Sequence, residues 1–293
     1  LDILDGLMSN ANMAELWDSM GSSLASQSSI RSSWQSNLNS LRNNLRNAIY
    51  RNLTVAVDGT GVADGHTISV STNSVILTGR SPQNYTAAVT VNGSPAAWTA
   101  HNTASMAGTY GFWNMTPFEL TARVTPISIE ALDADANVLK SRTLTLVKAT
   151  NTVDKGAANV TANETWNYPD SVLILTNSIT VNNGASLILP AGTVLLMNPG
   201  VTLTVADGTL DILGTAADPC WILPGGAGST WSLALSGNSG LTAGNTTFVA
   251  GTLSAGTGTG VELTDCTLHD HDAASGIIDA DNAAVTLVRC IVE

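Results

Sequence analysis

The chain has 293 residues, of which 44% are hydrophobic and only 12% are charged, and its formal net charge at pH 7 is -12. That field would repel a polyanion, so nucleic acid is excluded as a natural partner. No window holds the roughly eighteen consecutive apolar residues that a membrane-spanning helix needs. The first residues lack an initiator Met and the basic start of a signal peptide, so we expect a mature chain or a fragment without a membrane span.

The chain contains three cysteines, Cys220, Cys266 and Cys290. An odd number cannot all pair within one molecule, so the sequence defines no disulfide framework and leaves the redox compartment open.

Apolar residues recur at helical spacing within residues 1–52, which predicts an N-terminal α-helical hairpin. One stripe consists of Ile30, Trp34, Leu38, Leu41, Leu45 and Ile49, and a shorter one of Met13, Leu16, Trp17, Met20 and Leu24. Two helices packed on each other or on a neighbouring domain account for both stripes. A helix that docks on a partner or a membrane surface is the alternative.

The order "LDILDGLMS" followed by "IRSSWQSNLNSLRNNLRNAI" resembles the C-terminal helical tail of spore-coat-protein-H-like (CotH) kinase domains of large secreted bacterial proteins. The resemblance covers about fifty residues. In that family the ATP-binding and catalytic residues lie before this tail, so none corresponds to a position of this chain. The resemblance implies a segment that follows a kinase-like domain.

Residues 53–150 alternate between apolar and polar, and Gly, Asn, Asp and Pro separate about seven short runs. This pattern predicts an antiparallel β-sandwich. The runs "VILTGRSP", "VTVNGSPAAW" and "ISIEALDADANVLKSRTLTLV" resemble bacterial immunoglobulin-like (Ig-like) modules. The resemblance implies a spacing or binding role.

Asp133, Asp135 and Asn137 have the spacing that opens a calcium loop, but Val138 and Leu144 stand where the loop needs its Gly and its Glu. A hairpin turn is the simpler interpretation.

Four aromatic residues lie close together in this part of the sequence: Trp98, Tyr110, Phe112 and Trp113. Core packing is the ordinary use of aromatic residues in a small sandwich. Stacking on the sugar rings of a glycan is the alternative.

Residues 151–293 contain short apolar triplets separated by turn residues, as in "GASLILPAGTVLLM" and "GTLDILGTAADPCWIL". Such triplets predict the coils of a solenoid. The stretch resembles the right-handed parallel β-helices of bacterial secreted and surface proteins. The chain is thus predicted to be mainly β, with a helical hairpin, an Ig-like sandwich and a C-terminal parallel β-helix.

The register of the last coils follows from the sequence. Aligning Val261 with Val285 places Leu263 on Leu287, Cys266 on Cys290 and Leu268 on Val292, at a coil length of 24 residues. At an offset of 20 residues, the preceding coil contributes Leu241, Ala243, Thr246 and Phe248.

Stacked coils lie about 4.8 Å apart, which brings the thiols of Cys266 and Cys290 close together. We interpret them as stacked free thiols, because an in-register parallel pair suits disulfide geometry poorly, although a disulfide stays open. Cys220 is predicted to be buried alone.

The densest polar cluster is "HDHD" at residues 269–272. The weak candidates for a metal site are His269, His271, Asp279 and Asp281, and those for acid–base catalysis are Asp270 and Asp272. Solvated turn residues are the simpler interpretation, and no cofactor is predicted. Arg289 is the only Lys or Arg after residue 155, which disfavours polysaccharide lyase chemistry.

Three functions remain open. The first is an extracellular or cell-surface bacterial protein with a structural or adhesive role, which forms filaments or other assemblies through uncapped β-edges. The second is the non-catalytic portion of a larger secreted enzyme, either CotH-kinase-like or glycan-active. The third is a β-helix glycoside hydrolase, and overall we expect that the chain is not an enzyme.

The predicted assembly edge is the last coil, with Val285, Leu287, Cys290 and Val292. A bare strand edge recruits other strands. Either further coils of the same polypeptide or another chain would cover it, so self-association is the predicted partner interaction and a glycan is a further candidate.

Overall fold

The computed structural model describes residues 53–82, 86–100, 110–226, 230–269 and 277–292, together with four residues near the N-terminus. Those four, Ser33, Ser36, Asn37 and Ser40, are exposed and are the only helical residues described. The rest of the predicted helical hairpin lies outside the described residues. The described part is therefore mainly β, and none of its helical segments is long and apolar enough to cross a membrane.

The first ten strands lie between residues 55 and 148. They are β1 Val55–Val57, β2 Thr60–Val62, β3 His66–Val70, β4 Ser74–Pro82, β5 Ala88–Val91, β6 Ser94–Pro95, β7 Ala97–Ala100, β8 Tyr110–Glu119, β9 Val124–Leu132 and β10 Val138–Lys148.

These strands form two five-stranded sheets, in the orders β2-β1-β4-β8-β7 and β3-β10-β9-β5-β6. Neighbouring strands are antiparallel, apart from the parallel pair of β3 and β10. Alternate side chains of both sheets meet in one hydrophobic core, for example Leu77 and Trp113 of the first sheet with Ile129 and Leu146 of the second. The alternation seen in the sequence thus has its physical cause in a shared core between two sheets.

The β9–β10 hairpin contains "DADAN". The Asp133 Oδ1 atom accepts hydrogen bonds from the backbone N–H groups of Asp135, at 2.9 Å, and Asn137, at 2.8 Å. These bonds hold a turn in which Asp133 acts as the acceptor. The predicted hairpin turn is confirmed.

The remaining eighteen strands form a solenoid. They are β11 Thr152–Asp154, β12 Glu164–Thr165, β13 Val172–Leu175, β14 Ile179–Val181, β15 Ser186–Leu189, β16 Val194–Met197, β17 Thr202–Ala206, β18 Thr209–Leu213, β19 Cys220–Pro224, β20 Trp231–Ser236, β21 Gly240–Gly244, β22 Thr246–Val249, β23 Gly251–Ala255, β24 Gly260–Thr264, β25 Thr267–His269, β26 Ile278–Ala280, β27 Ala284–Val288 and β28 Ile291–Val292.

All strand pairs of this region are parallel, and they form a right-handed-type β-solenoid of about five turns. The seven-stranded sheet has the order β11-β13-β16-β19-β22-β25-β28 and the six-stranded sheet the order β12-β15-β18-β21-β24-β27. The third face, here called the five-stranded solenoid sheet, has the order β14-β17-β20-β23-β26.

The register of the last coils agrees with the sequence alignment. Val261 pairs with Val285 and Leu263 with Leu287, and Leu268 pairs with Val292. One coil earlier, Leu241, Ala243 and Phe248 pair with Val261, Leu263 and Leu268. The inward side chains therefore stack in continuous columns.

An aromatic and cationic cluster lies at the N-terminal end of the solenoid. Trp166 is buried, and its Nε1 donates a hydrogen bond to Glu164 Oε2 at 2.8 Å. The Lys155 Nζ lies 4.9 Å from the ring centroid of Trp166 and 5.4 Å from that of Tyr168. Trp166 belongs to the hydrophobic core of the solenoid, and the Lys155 ammonium makes cation–π contacts with both rings.

The sandwich packs against the outer face of the seven-stranded sheet. Val124 and Val147 of the sandwich form one buried cluster with Val172, Val194, Leu196, Leu223 and Val249 of the solenoid. Here the solenoid strands are apolar on both faces, because the inner face meets the solenoid core and the outer face meets the sandwich.

Candidate assembly edge

The last coil forms one end of each solenoid sheet, since β26, β27 and β28 are terminal strands in the described part of the chain. Leu287 is 43% exposed and Val292 51%, whereas the residues that pair with them one coil earlier, Leu263 and Leu268, are 0% and 2% exposed. The same inward positions are thus covered in the coil before and open in the last coil.

The backbone N–H and C=O groups of successive residues in β27 point alternately toward the preceding coil and away from it. The Ala284 N–H donates to Thr259 O at 3.0 Å, and Val288 O accepts from the Asp265 N–H at 2.9 Å, so these residues face the preceding coil. In a parallel pair the N–H and C=O groups of alternate residues face the same neighbour. The groups of Val285 and Leu287 therefore point along the solenoid axis, away from the preceding coil.

The predicted edge residues come together in this coil. Val285 and Leu287 lie in β27 and Val292 in β28, all in the inward columns. Cys290 lies between the two strands, directly after the corner residue Arg289, and is half-buried. The arrangement offers an apolar rim whose outward backbone donors and acceptors have no partner among the described residues.

The pairing of two charged residues, at the corners before β25 and β28, was not predicted from the sequence, in which Arg289 stood out only for the scarcity of basic residues around it. Asp265 and Arg289 both have positive φ, 55° and 53°. The Arg289 Nε donates to Asp265 Oδ1 at 2.6 Å, and Nη2 to Oδ2 at 2.6 Å. This bidentate bond lowers the pKa of the Asp265 carboxyl. The signal in the sequence was their common position, one residue before each aligned cysteine.

The three thiols share an inward column. Cys220 pairs with Thr246, and Cys266 and Cys290 follow in the same slot, directly before Thr267 and Ile291, which pair. We call Cys220, Thr246, Cys266 and Cys290 the thiol column. Cys220 is buried as predicted, but it belongs to the column of the other two and is separated from Cys266 by Thr246.

The thiols in this column are free. Each Sγ lies within hydrogen-bonding distance of a carbonyl from the preceding coil: Cys266 of Ala243 O at 3.5 Å, and Cys290 of Leu263 O at 3.3 Å. Burial raises the pKa of the Cys266 thiol to about 11. The column therefore holds a protonated thiol that packs as a small apolar group.

The candidate metal and catalytic residues are only partly described. His269 lies in β25 on the seven-stranded sheet, whereas Asp279 and Asp281 lie in and just after β26 on the five-stranded solenoid sheet. His271, Asp270 and Asp272 lie outside the described residues. Within the described ranges, no three His, Cys, Asp or Glu side chains converge on a point that could hold a metal ion.

The aromatic group of the sandwich divides between core and surface. Trp113 is buried and Trp98 packs partly against the same core, which agrees with core packing. Phe112 is 43% exposed, with the Arg80 guanidinium 5.7 Å from its ring centroid. The side chain of Tyr110 lies outside the described part.

The fold and the edge together define a mainly β protein with a C-terminal parallel β-solenoid, whose last described coil is open. No protein-family model, curated protein or solved structure matches the chain.

Proposed function

We propose that the protein is a structural or adhesive component of a bacterial cell surface or extracellular assembly, and that it assembles through the open edge of its solenoid. The observation that carries the proposal is the exposure of Leu287 and Val292 in columns whose preceding members are buried. Burial of such side chains contributes roughly 25 cal/mol per Å² of apolar surface.

The low charge and the continuous β-columns suit a rigid spacer, and the buried contact between sandwich and solenoid stiffens it. The predicted Ig-like character of the sandwich and the CotH-like tail belong to the same proposal, as parts of a secreted multidomain surface protein.

Sedimentation velocity over a wide concentration range tests the assembly. We expect the chain to associate reversibly, and Leu287→Lys to abolish association because it places a charge on the rim. The control is Leu213→Lys, which changes a leucine of similar exposure, 49%, in β18. A wild-type chain that stays monomeric throughout would contradict the proposal.

The cellular location needs a separate measurement. Immunogold labelling of intact cells of the source bacterium should decorate the surface or the extracellular material. Labelling restricted to the cytoplasm of sectioned cells would exclude a surface role.

A further inference from the structure

We propose that Cys266 and Cys290 form a binding site for one soft monovalent metal ion of the Cu(I) type, held in line between the two sulfurs. The site lies in the thiol column, inside the solenoid. The inference concerns a ligand of the chain and does not depend on whether the chain assembles. It follows from the spacing of the coils, the positions of the two thiols and the kind of donor atoms.

The two thiols are neighbours on consecutive coils. Cys266 and Cys290 directly precede Thr267 and Ile291, which pair in register in the parallel sheet. Cys266 is part of the hydrophobic core of the solenoid, and Cys290 packs against that core. Burial is the main cause of the raised pKa of the Cys266 thiol, and the neighbouring Cys290 thiol adds to it. The two sulfurs therefore lie side by side.

The spacing of the coils matches the length of a linear sulfur–metal–sulfur unit. Neighbouring strands of a sheet lie about 4.8 Å apart. A metal–thiolate bond is about 2.3 Å long in zinc sites, so two collinear bonds of this kind span about 4.6 Å. Two cysteines that occupy the same slot on successive coils can hold their sulfurs at this separation with small side-chain rotations. One ion can thus lie between the two thiolates.

The donor atoms favour a soft ion of low coordination number. Thiolate ligands select Cu(I), whereas carboxylate and carbonyl ligands suit Mg²⁺ or Ca²⁺. A structural zinc site needs four ligands, and within the described ranges no third His, Cys, Asp or Glu side chain joins the two thiols. Monovalent copper has a filled d shell and accepts two ligands in line. The pair of thiols therefore meets the needs of a two-coordinate ion.

Binding exchanges two protons for one metal ion. The S–H bonds of Cys266 and Cys290 break, two sulfur–metal bonds form, and both protons pass to the solvent. The ion keeps its oxidation state, so no oxidant or reductant takes part. The product is a bis-thiolate complex with one net negative charge, and its formation is favoured by rising pH.

A cation lies beside the site. Arg289 directly precedes Cys290, and its pKa is raised chiefly by the hydrogen bond to Asp265 and also by the charge of the Cys290 sulfur. The guanidinium therefore lies within electrostatic reach of that sulfur. A nearby opposite charge favours the charged form of an ionising group, so Arg289 favours the anionic complex over two neutral thiols.

The rest of the thiol column supplies a control. Its slot is filled in turn by Cys220, Thr246, Cys266 and Cys290. Cys220 lies two coils before Cys266, at about 9.6 Å or twice the coil spacing, which is too far for one ion to join the two sulfurs. The Thr246 Oγ1 atom between them donates to Gly244 O at 2.9 Å. Cys220 is therefore a thiol of the same column that should not take part.

An anaerobic titration of the protein with Cu(I), in competition with a chromophoric chelator, tests the site. We expect wild type to take one Cu(I) per chain, and X-ray absorption at the copper edge to show two sulfur ligands in a linear arrangement. Because two protons leave, the affinity corrected for the chelator should rise roughly 100-fold for each pH unit below the pKa values of the thiols. Native mass spectrometry of a dilute sample should find the ion on a single chain.

Three alanine variants locate the ligands. Cys266→Ala and Cys290→Ala should each lower the affinity for Cu(I) by more than about 100-fold, since even residues that only hydrogen-bond to a metal ligand contribute about 10- to 100-fold. Cys220→Ala is the matched control and should leave the affinity unchanged. Alanine keeps the slot apolar, and thermal unfolding of each variant checks the fold.

A gain of capacity tests the spacing without removing a native thiol. Thr246→Cys fills the gap in the column, so that four thiols would stand on four successive coils. We expect this variant to bind two Cu(I) ions, the second next to Cys220. A capacity that stayed at one ion in the folded variant would contradict the match between coil spacing and the linear unit.

The results divide clearly. One linear Cu(I) per chain that depends on both Cys266 and Cys290 supports the site. Binding that survives either alanine variant, copper with three or more ligands, or copper held between two chains overturns it. A wild type that binds Cu(I) no more tightly than Cys266→Ala overturns it as well.

Discussion

Arg289 donates two hydrogen bonds to Asp265 of the preceding coil, each 2.6 Å long. Both residues lie at a solenoid corner and have positive φ. The strands on either side of each corner hold the backbone of these residues in place. The pair shows that corner side chains of successive coils lie close enough to interact.

This ion pair should make stability depend on pH. The pKa of the Asp265 carboxyl in the folded protein lies below its ordinary value of 3.8, chiefly because of the hydrogen bond from Arg289. The stabilisation is therefore present above that ordinary value and is lost as the pH falls through the lowered folded pKa. We expect Asp265→Asn to reduce the free energy of unfolding at pH 7, and the deficit to shrink in acid. Denaturant titrations at several pH values measure it.

A double-mutant cycle with Arg289→Gln isolates the pair. The coupling between the two substitutions should be favourable at pH 7 and vanish once Asp265 is protonated. Asp170→Asn, another exposed aspartate, serves as the control for the loss of one negative charge. Coupling that did not vary with pH would show that the contact is not ionic in origin.

Gly251 should not tolerate a side chain. A Cβ at this position would overlap Cζ2 of Trp231, which is buried and whose Nε1 donates to Val249 O at 2.8 Å. We expect Gly251→Ala to lower the free energy of unfolding by about 1–3 kcal/mol, as overpacking does. Gly260→Ala is the matched control, because a Cβ there meets nothing within 4 Å. Chemical denaturation compares them, and equal effects would contradict the packing around Trp231.

The contact between sandwich and solenoid makes a further prediction. Leu223 is 0% exposed in the cluster with Val124 and Val147, although it lies on the outer face of β19. Leu223→Ala should cost about 2–5 kcal/mol. Leu213→Ala, also an outward leucine but 49% exposed, should cost under about 0.5 kcal/mol. Denaturant unfolding of both variants measures the difference.

The polar variant Leu223→Asp should separate the two parts. We expect its unfolding to split into two transitions, since the buried contact that joins sandwich and solenoid would be lost. A single unshifted transition would mean that the contact contributes little to stability.

The sequence predicted the last coils more accurately than the earlier ones. Leu241, Val261 and Val285 recur after 20 and 24 residues with few changes between them, so their register could be aligned by hand. The preceding pair, Leu210 and Leu241, is 31 residues apart, because corner loops of variable length lie outside the stacked strands. Apolar triplets therefore indicated a solenoid there without giving its register.

Two features of the structure could not be predicted from the periodicity and spacing of residues in the sequence. The thiol column was hidden because Thr246 occupies the slot between Cys220 and Cys266, and a hydroxyl there breaks the cysteine pattern. The sandwich contact was visible only indirectly, in runs such as "VLLM" of β16 that are apolar on both faces. Such a run indicates that a second layer packs on the strand. It does not indicate which part of the chain forms that layer.

The thiols should differ in reactivity. Cys266 is buried with a pKa raised to about 11 from an ordinary 9.0, which leaves about 100-fold fewer thiolates below pH 9. Burial also raises the pKa of Cys220, whereas Cys290 is half-buried on the open coil. We therefore expect a small disulfide reagent to label Cys290 first in the native protein, and all three cysteines in denaturant. Peptide mass mapping after timed quenching gives the order.

Cys290→Ser is the control, since it should remove the fast phase and leave the slow ones unchanged. If Cys266 and Cys290 both resisted the reagent even in denaturant and reacted after reduction, they would be bonded to each other, contrary to the free thiols of this structure. If the edge assembles as proposed, labelling of Cys290 should also slow as the protein concentration rises, because the contact would cover this side chain. Labelling at several protein concentrations therefore measures both the reactivity of the Cys290 thiol and the extent of assembly.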